Sequence, residues 1–382
     1  MTTHLHPTPR TPDPAPVPAR APARVRATVP ARRAPGVVRA TGLTALAAVT
    51  AAVLAALAPV TATALPPAGG GAATSTVSTA TDRAVPTTVL DPGQLERGAG
   101  PRVPRVLGTS IVDGSLEVPV DADEIDLLGP AGDDYVVVAY DASGGVVERV
   151  SPDGSTRVLR ESGIGLYELS SDGSQLFDVV TRGRDRTVVR VLDTTTGEVT
   201  ARRGFPGFVD VLDAADGVAV LGGTAPRRTV SWDTATDETT RIVSRQGYRA
   251  DLAADRLSTF SGDPYDGGCS RITPLSDPAR TLWRSCDDIE VAASPGTGRL
   301  LTVPLLLDGP LGQVDARRPD GRLLATYGTR GTLGPLVWED DRTALITVYG
   351  VRRTAVVRCT VAGPAEDRTC ERATRLIPTP GL

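Results

Sequence analysis

The residues able to do chemistry in this chain are carboxylates and four cysteines, because most other reactive types are missing. All 41 basic side chains are arginine, there is no lysine or asparagine, and the only histidines are His4 and His6, near the N-terminus. That inventory excludes Schiff-base lysines, a phosphate-loop lysine and N-linked glycosylation. Beyond residue 6 it also removes histidine as a base, a metal ligand or a pH switch. Carboxylate chemistry remains, and its candidates are Glu168, Asp178, Asp210, Asp251 and Glu290. A glycoside hydrolase needs two such groups ~5–9.5 Å apart across a sugar. It also gains from an aromatic platform, yet aromatics are 4% of the chain and Trp232, Trp283 and Trp338 fall at different positions in their apolar runs, as core-packing residues would. No catalytic or cofactor-binding residue is assigned. Oxygen-rich loops at Asp121–Asp126 and Asp263–Gly268 leave calcium open as a ligand, but neither matches a twelve-residue calcium loop, and both read as ordinary acidic linkers.

The cysteines are Cys269, Cys286, Cys359 and Cys370. They lack the C-x-x-C spacing of a zinc site, so no metal is assigned to them. Cys269 and Cys286 lie symmetrically about Asp277-Pro278, and Cys359 and Cys370 about Pro364-Ala365. If each turn joins two antiparallel strands, each pair sits opposite across a hairpin and is predicted to form a disulfide.

These groups must be positioned by strands. Beyond about residue 124 the chain alternates short β-branched runs with Asp-Gly and Pro-Gly turns, and no helical period is sustained after residue 65. One turn series runs through Asp133, Asp172, Asp216, Asp255, Gly296 and Asp340, at spacings of 39, 44, 39, 41 and 44. A second runs through Asp153, Thr196, Thr236, Asp277, Asp320 and Gly363, at 43, 40, 41, 43 and 43. Two interleaved hairpin series at one period of ~40–45 mean four strands per repeat, the mark of an all-β propeller. Six four-stranded blades are expected, at about 125–162, 163–205, 206–246, 247–288, 289–331 and 332–377. The hairpin Val106–Val120 is left over, as half of a seventh blade or a cover for the closing edge.

Ser151-Pro152-Asp153-Gly154, Ser171-Asp172-Gly173-Ser174 and Ser231-Trp232-Asp233 resemble turn and strand-end motifs of the broad propeller group that includes Tol-type translocation propellers and WD-repeat proteins. The resemblance covers about 105–377 and implies a ring with loops gathered on two faces. The blade-tying histidine of the WD-repeat family is missing.

The chain ahead of the repeats divides by composition. Residues 1–40, with nine prolines, seven arginines and one acid, read as a disordered basic tail. Residues 41–64 hold the apolar run Leu43–Ala58 and the small-residue pattern Ala62-Thr63-Ala64, a signal peptide or, if uncleaved, a signal anchor. Residues 65–104 read as a flexible linker that includes Gly69-Gly70-Gly71, and 105–378 as the propeller. The chain after residue 40 carries a formal −10, which disfavours nucleic acid as a partner, and membrane contact is expected only through the apolar segment.

The resulting expectation is an extracytoplasmic, secreted or membrane-tethered, non-enzymatic scaffold that binds a protein or small ligand at the cell envelope. The alternative is a carboxylate-dependent glycan hydrolase or lyase on the same ring. Asp263–Gly268 and Leu305–Leu311 stand out as insertions able to form a contact rim, although Leu305–Leu307 reads more simply as buried strand.

Overall fold

A computed structural model describes residues 85–379, apart from 143, 162–164, 184 and 362–368. The basic tail, the expected signal or anchor at 41–64, Gly69–Gly71 and the turn at Gly363-Pro364 lie outside the described residues.

The strands form where β-branched runs meet turn residues. The second strand of the 124–160 repeat, Asp134–Asp141, buries Tyr135 through Ala139 without a break. A continuous apolar run of this kind is covered on both faces, so each sheet must be sandwiched between two others. Seven sheets satisfy this requirement. Blade I spans 105–119, blade II 124–160, blade III 166–206, blade IV 209–243, blade V 247–285, blade VI 288–328 and blade VII 332–372. Blades II to VII each contain four consecutive antiparallel strands in chain order. The first strands of blades II to V lie side by side, as do those of VI and VII, so first strands are innermost. The first turn series falls between strands one and two and the second, in its members Asp153 to Asp320, between strands three and four.

Blade I decides between six blades and seven in favour of the seventh. The leftover hairpin becomes a seventh sheet, built on three strands: Arg105–Leu107, Ser110–Asp113 and Leu116–Pro119. Its Asp113-Gly114 turn is 40 residues before Asp153-Gly154. The three strands therefore correspond to strands two to four of the other blades, with Arg105–Leu107 lying beside the first strand of blade II.

The expected linker 65–104 also differs from residue 87 onward. Thr87–Val89 pairs in parallel with Leu323–Gly328, the outer strand of blade VI. Leu90 is buried in the apolar cluster shared by blades VI and VII. Gly98 N donates to Arg372 O (2.9 Å), and Arg372 N donates to Glu96 O (2.8 Å). Arg358 donates to the carbonyls of Ala99 (2.8 Å) and Gly100 (2.6 Å) while holding Glu339 through two bonds of 2.7 Å. Arg102 N donates to the same Glu339 carboxylate (2.7 Å). No sheet among the described residues mixes strands of blades I and VII, so this strap, rather than a shared sheet, ties the chain's entry into blade I to blade VII. Composition alone suggested a spacer. What orders the segment is the row of unpaired outer-edge groups on blades VI and VII, which a passing chain satisfies.

Candidate functional site: the two ends of the ring and the inner strands

One end of the ring carries the turns between strands one and two and between strands three and four, and it is closed by its own hydrogen bonds. Asp153 Oδ1 accepts from Ser155 N (2.9 Å), Asp172 Oδ1 from Ser174 N (3.0 Å), Asp193 Oδ1 from Thr195 N and Thr196 N (2.8 and 2.7 Å), and Asp233 Oδ1 from Ala235 N and Thr236 N (both 2.9 Å). These are Asx-turns, and the donated bonds hold all four carboxyls below the usual carboxylate range, at Asp172 against an opposing effect of burial.

Neighbouring blades are laced together at the same end. Tyr135 Oη donates to Asp113 of blade I (2.9 Å), and Arg149 Nη1 donates to Thr194 O of blade III (3.0 Å). Ser171 N donates to Ala214 O (2.8 Å), Leu252 N to Asp213 Oδ2 (2.6 Å) and Thr297 N to Asp341 Oδ1 (3.0 Å). Gly173 shows how close the lacing is. Its φ of +71° suits glycine, and a Cβ there would lie 2.4 Å from Pro130 O of blade II.

The other end, formed by the connections between strands two and three and between blades, has the opposite character. Tyr140, Leu166, Phe208, Tyr265, Leu306, Leu307 and Val351 are all exposed here, seven of the twelve large exposed apolar side chains among the described residues. Every exposed aromatic ring is among them, and Tyr265 and Val351 are 70% and 69% exposed. Single exposed apolar residues are ordinary, but a concentration at one end, rich in aromatics, is how interface cores are composed. The Leu300–Pro304 strand ends before Leu306 and Leu307, which stand in solvent. That corrects the buried-strand reading of Leu305–Leu307 in favour of the rim. Asp263–Gly268 is also at this end: Asp263 caps a short 3-10 turn, accepts from Tyr265 N (3.0 Å), and so presents the Tyr265 ring. Phe208 and Val351 were not singled out in the sequence. An aromatic between two strand signals, in Gly204-Phe205-Pro206-Gly207-Phe208, was the available clue.

The structure disperses the candidate carboxylates. Asp178 lies on a second strand, buried between Arg160 Nε (3.0 Å) and Arg190 Nη2 (2.9 Å). Glu290 is buried, takes a 2.5 Å bond from Ser258 Oγ and faces Arg249 and Arg256 at 3.6 and 3.4 Å. Asp251 accepts from Arg256 Nη2 (2.7 Å) and Ala254 N (2.8 Å). Asp210 is raised by desolvation. Glu168, on the first strand of blade III, is exposed at its surface yet partly desolvated by the protein around it. Burial and then the Asp213 charge push it up to about 7, against an opposing effect of Arg249. The three tryptophans are buried, and Trp232 packs edge-on against Phe205 at 5.7 Å while its Nε1 donates to Asp237 (3.0 Å). Among the described residues no group of three or more His, Cys, Asp or Glu could hold a metal ion.

Cys269 is bonded to Cys286 and Cys359 to Cys370. Cys359 and Cys370 are direct partners across the outer hairpin of blade VII. The other pair continues the Ser270–Ser285 register in blade V.

No protein-family model matches the chain, and no curated protein is similar to it in sequence. Solved structures do share its architecture. The β-propeller domain of the Trilobed protease from Pyrococcus furiosus aligns at 13% identity and a TM-score of 0.49, over 73% of this chain and 97% of that one. TolB from Acinetobacter baumannii aligns at 14% identity and a TM-score of 0.42, over 56% of this chain and 57% of its own. BamB from Moraxella catarrhalis aligns at 15% and 0.35, over 62% and 71%. Likeness at this level concerns the fold alone. The fold itself is a seven-bladed β-propeller, in keeping with the propeller resemblance of the turn motifs.

Proposed function

We propose that this chain is an exported, non-enzymatic propeller that binds a protein partner through its loop end. The observation that carries the reading is the gathering of Tyr140, Phe208, Tyr265 and Leu306 at one end of a ring whose other end is locked by polar turns. Two disulfides and no free cysteine among the described residues support an oxidising, extracytoplasmic compartment. A photo-crosslinking side chain placed at Leu306 in the native host is expected to capture a discrete protein, and the same group at Asp320 of the turn end is not. Equal capture from both ends, or none from Leu306, overturns the reading.

Glu168 favours a second reading, a carboxylate-dependent hydrolase. A carboxyl about half protonated near pH 7 can serve as a general acid. Glycan hydrolysis by the purified protein that disappears in Glu168→Gln with an unchanged melting temperature would select this reading over the scaffold.

A further inference from the structure

Between blades II and III lies a cavity of about 220 Å³ that the loop-end reading does not use. Three charged side chains converge in it. Asp178, on the second strand of blade III (Gln175–Arg182), is directly opposite Arg190 in the register and opposite Tyr167 on its other side. Arg160, from the end of the outer strand of blade II (Thr156–Arg160), enters from the facing blade. Both guanidinium groups bond the same oxygen, Asp178 Oδ2, at 3.0 and 2.9 Å. The single buried carboxylate faces both guanidinium groups, and Glu161, exposed at the edge, balances the formal charge of the lining. Arg190 Nε is enclosed and has no acceptor among the described residues. The side chains of Arg160 and Arg190 are themselves 32% and 20% exposed, so guanidinium N–H groups not taken by Asp178 are open to an oxyanion. The remaining walls include Leu159, Leu192 and Val199, which are apolar.

We propose that this cleft binds a monocarboxylate carried on a short branched aliphatic stem, with the carboxylate on Arg190 and Arg160 and the stem against Leu159, Leu192 and Val199. A guanidinium fork matches a carboxylate better than any other side-chain donor. The volume is roughly that of seven water molecules, enough for a carboxylate and a few carbons. A free branched acid and the C-terminal leucine of a peptide present the same chemistry. The proposal is independent of the loop-end interface.

Titration calorimetry of the full exported chain with 4-methylpentanoate, its amide isostere, and acetyl-alanyl-leucine with a free C-terminus tests it. Saturable binding of at least one carboxylate, and none of the amide, is expected. Tighter binding of the dipeptide would identify a peptide terminus as the source, and tighter binding of 4-methylpentanoate a free acid. Arg190→Gln should weaken binding at least about tenfold, the loss of one charge-assisted hydrogen bond. Val199→Glu, at an exposed position, should do the same by charge repulsion without moving the melting temperature, which separates loss of the site from loss of the fold. Absence of saturable carboxylate binding, equal binding of the amide, or competition by inorganic phosphate at comparable concentration overturns the proposal.

Discussion

The two ends of this ring are made from the same strands, yet they do opposite work. At the turn end, short Asp-, Gly- and Thr-rich turns spend their polar groups on their own backbone and on the next blade. At the loop end, the connections are longer or apolar and leave rings and aliphatic chains in water. The difference shows how a propeller separates stability from recognition. Groups that already have partners hold the blades in register, and groups without partners are available to another molecule. It also explains why the acids that looked reactive in sequence are mostly structural. Asp178, Asp251 and Glu290 pair with arginines, while the turn acids Asp153, Asp193 and Asp233 accept from their own backbones.

The contrast can be broken in four ways. The largest effect is expected at the strap, the device that stands in for lacing between blades VII and I. Arg358→Ala strips Glu339 of its bidentate partner and frees the carbonyls of Ala99 and Gly100. The Arg358 guanidinium lies above the usual arginine range, held there first by its bonds to Glu339. Losing the charged hydrogen bonds of such a part-buried group costs about 2–3 kcal/mol, readable as a lower urea midpoint. A loss below about 1 kcal/mol would mean that the ring closes by other contacts.

At the loop end, Phe208→Asp combined with Tyr265→Asp is expected to weaken partner capture by about 100-fold or more, with no change in melting temperature, because both rings are exposed. Comparable loss of stability would mean that these rings pack within the fold rather than against a partner.

At the turn end, Asp193→Ala should cost roughly 1 kcal/mol by leaving the Thr195 and Thr196 N–H groups without their acceptor, and should leave partner capture intact. Its pH dependence has a definite sign. The folded carboxyl titrates below its unfolded value, so its stabilisation is present above the unfolded pKa and is lost as pH falls through the folded one. Wild type and variant should therefore converge in urea midpoint under acid conditions. A gap that persists there would assign the effect to packing.

The smallest effect belongs to the first strand of blade III. Glu168 is raised to about 7 when folded, above an ordinary value of 4.5. Between those values the native state holds more protons than the unfolded chain, so stability declines as pH rises across that window. Glu168→Gln should remove that decline, so that the variant gains on wild type at pH 8 relative to pH 5. An unchanged difference between the two pH values would place Glu168 in open water.

How much was legible follows from the range of the forces involved. Asx-turns act over two or three residues, so Asp172-Gly173 and Asp193-Thr194-Thr195-Thr196-Gly197 announce their hairpins locally, and the period between them announces the blades. The cysteine pairings were legible for the same reason, since each pair is symmetric about one turn. The pairing of Asp178 was not, because Arg160 comes from a different blade, and contacts between repeats leave no mark on the pattern within one. Exposure of Leu306 was hidden too, because an apolar triplet reads alike whether a neighbouring sheet covers it or the strand has already ended at Pro304.

Turn chemistry and apolar alternation, both local, thus determined from the sequence alone that this is a chain of repeated four-stranded sheets with cystine-braced hairpins. Tertiary structure decided the rest: a seventh sheet of three strands, a strap in place of a spacer, and one end left apolar. These depend on closing a ring, where unpaired edge groups must find partners from whichever part of the chain passes near them.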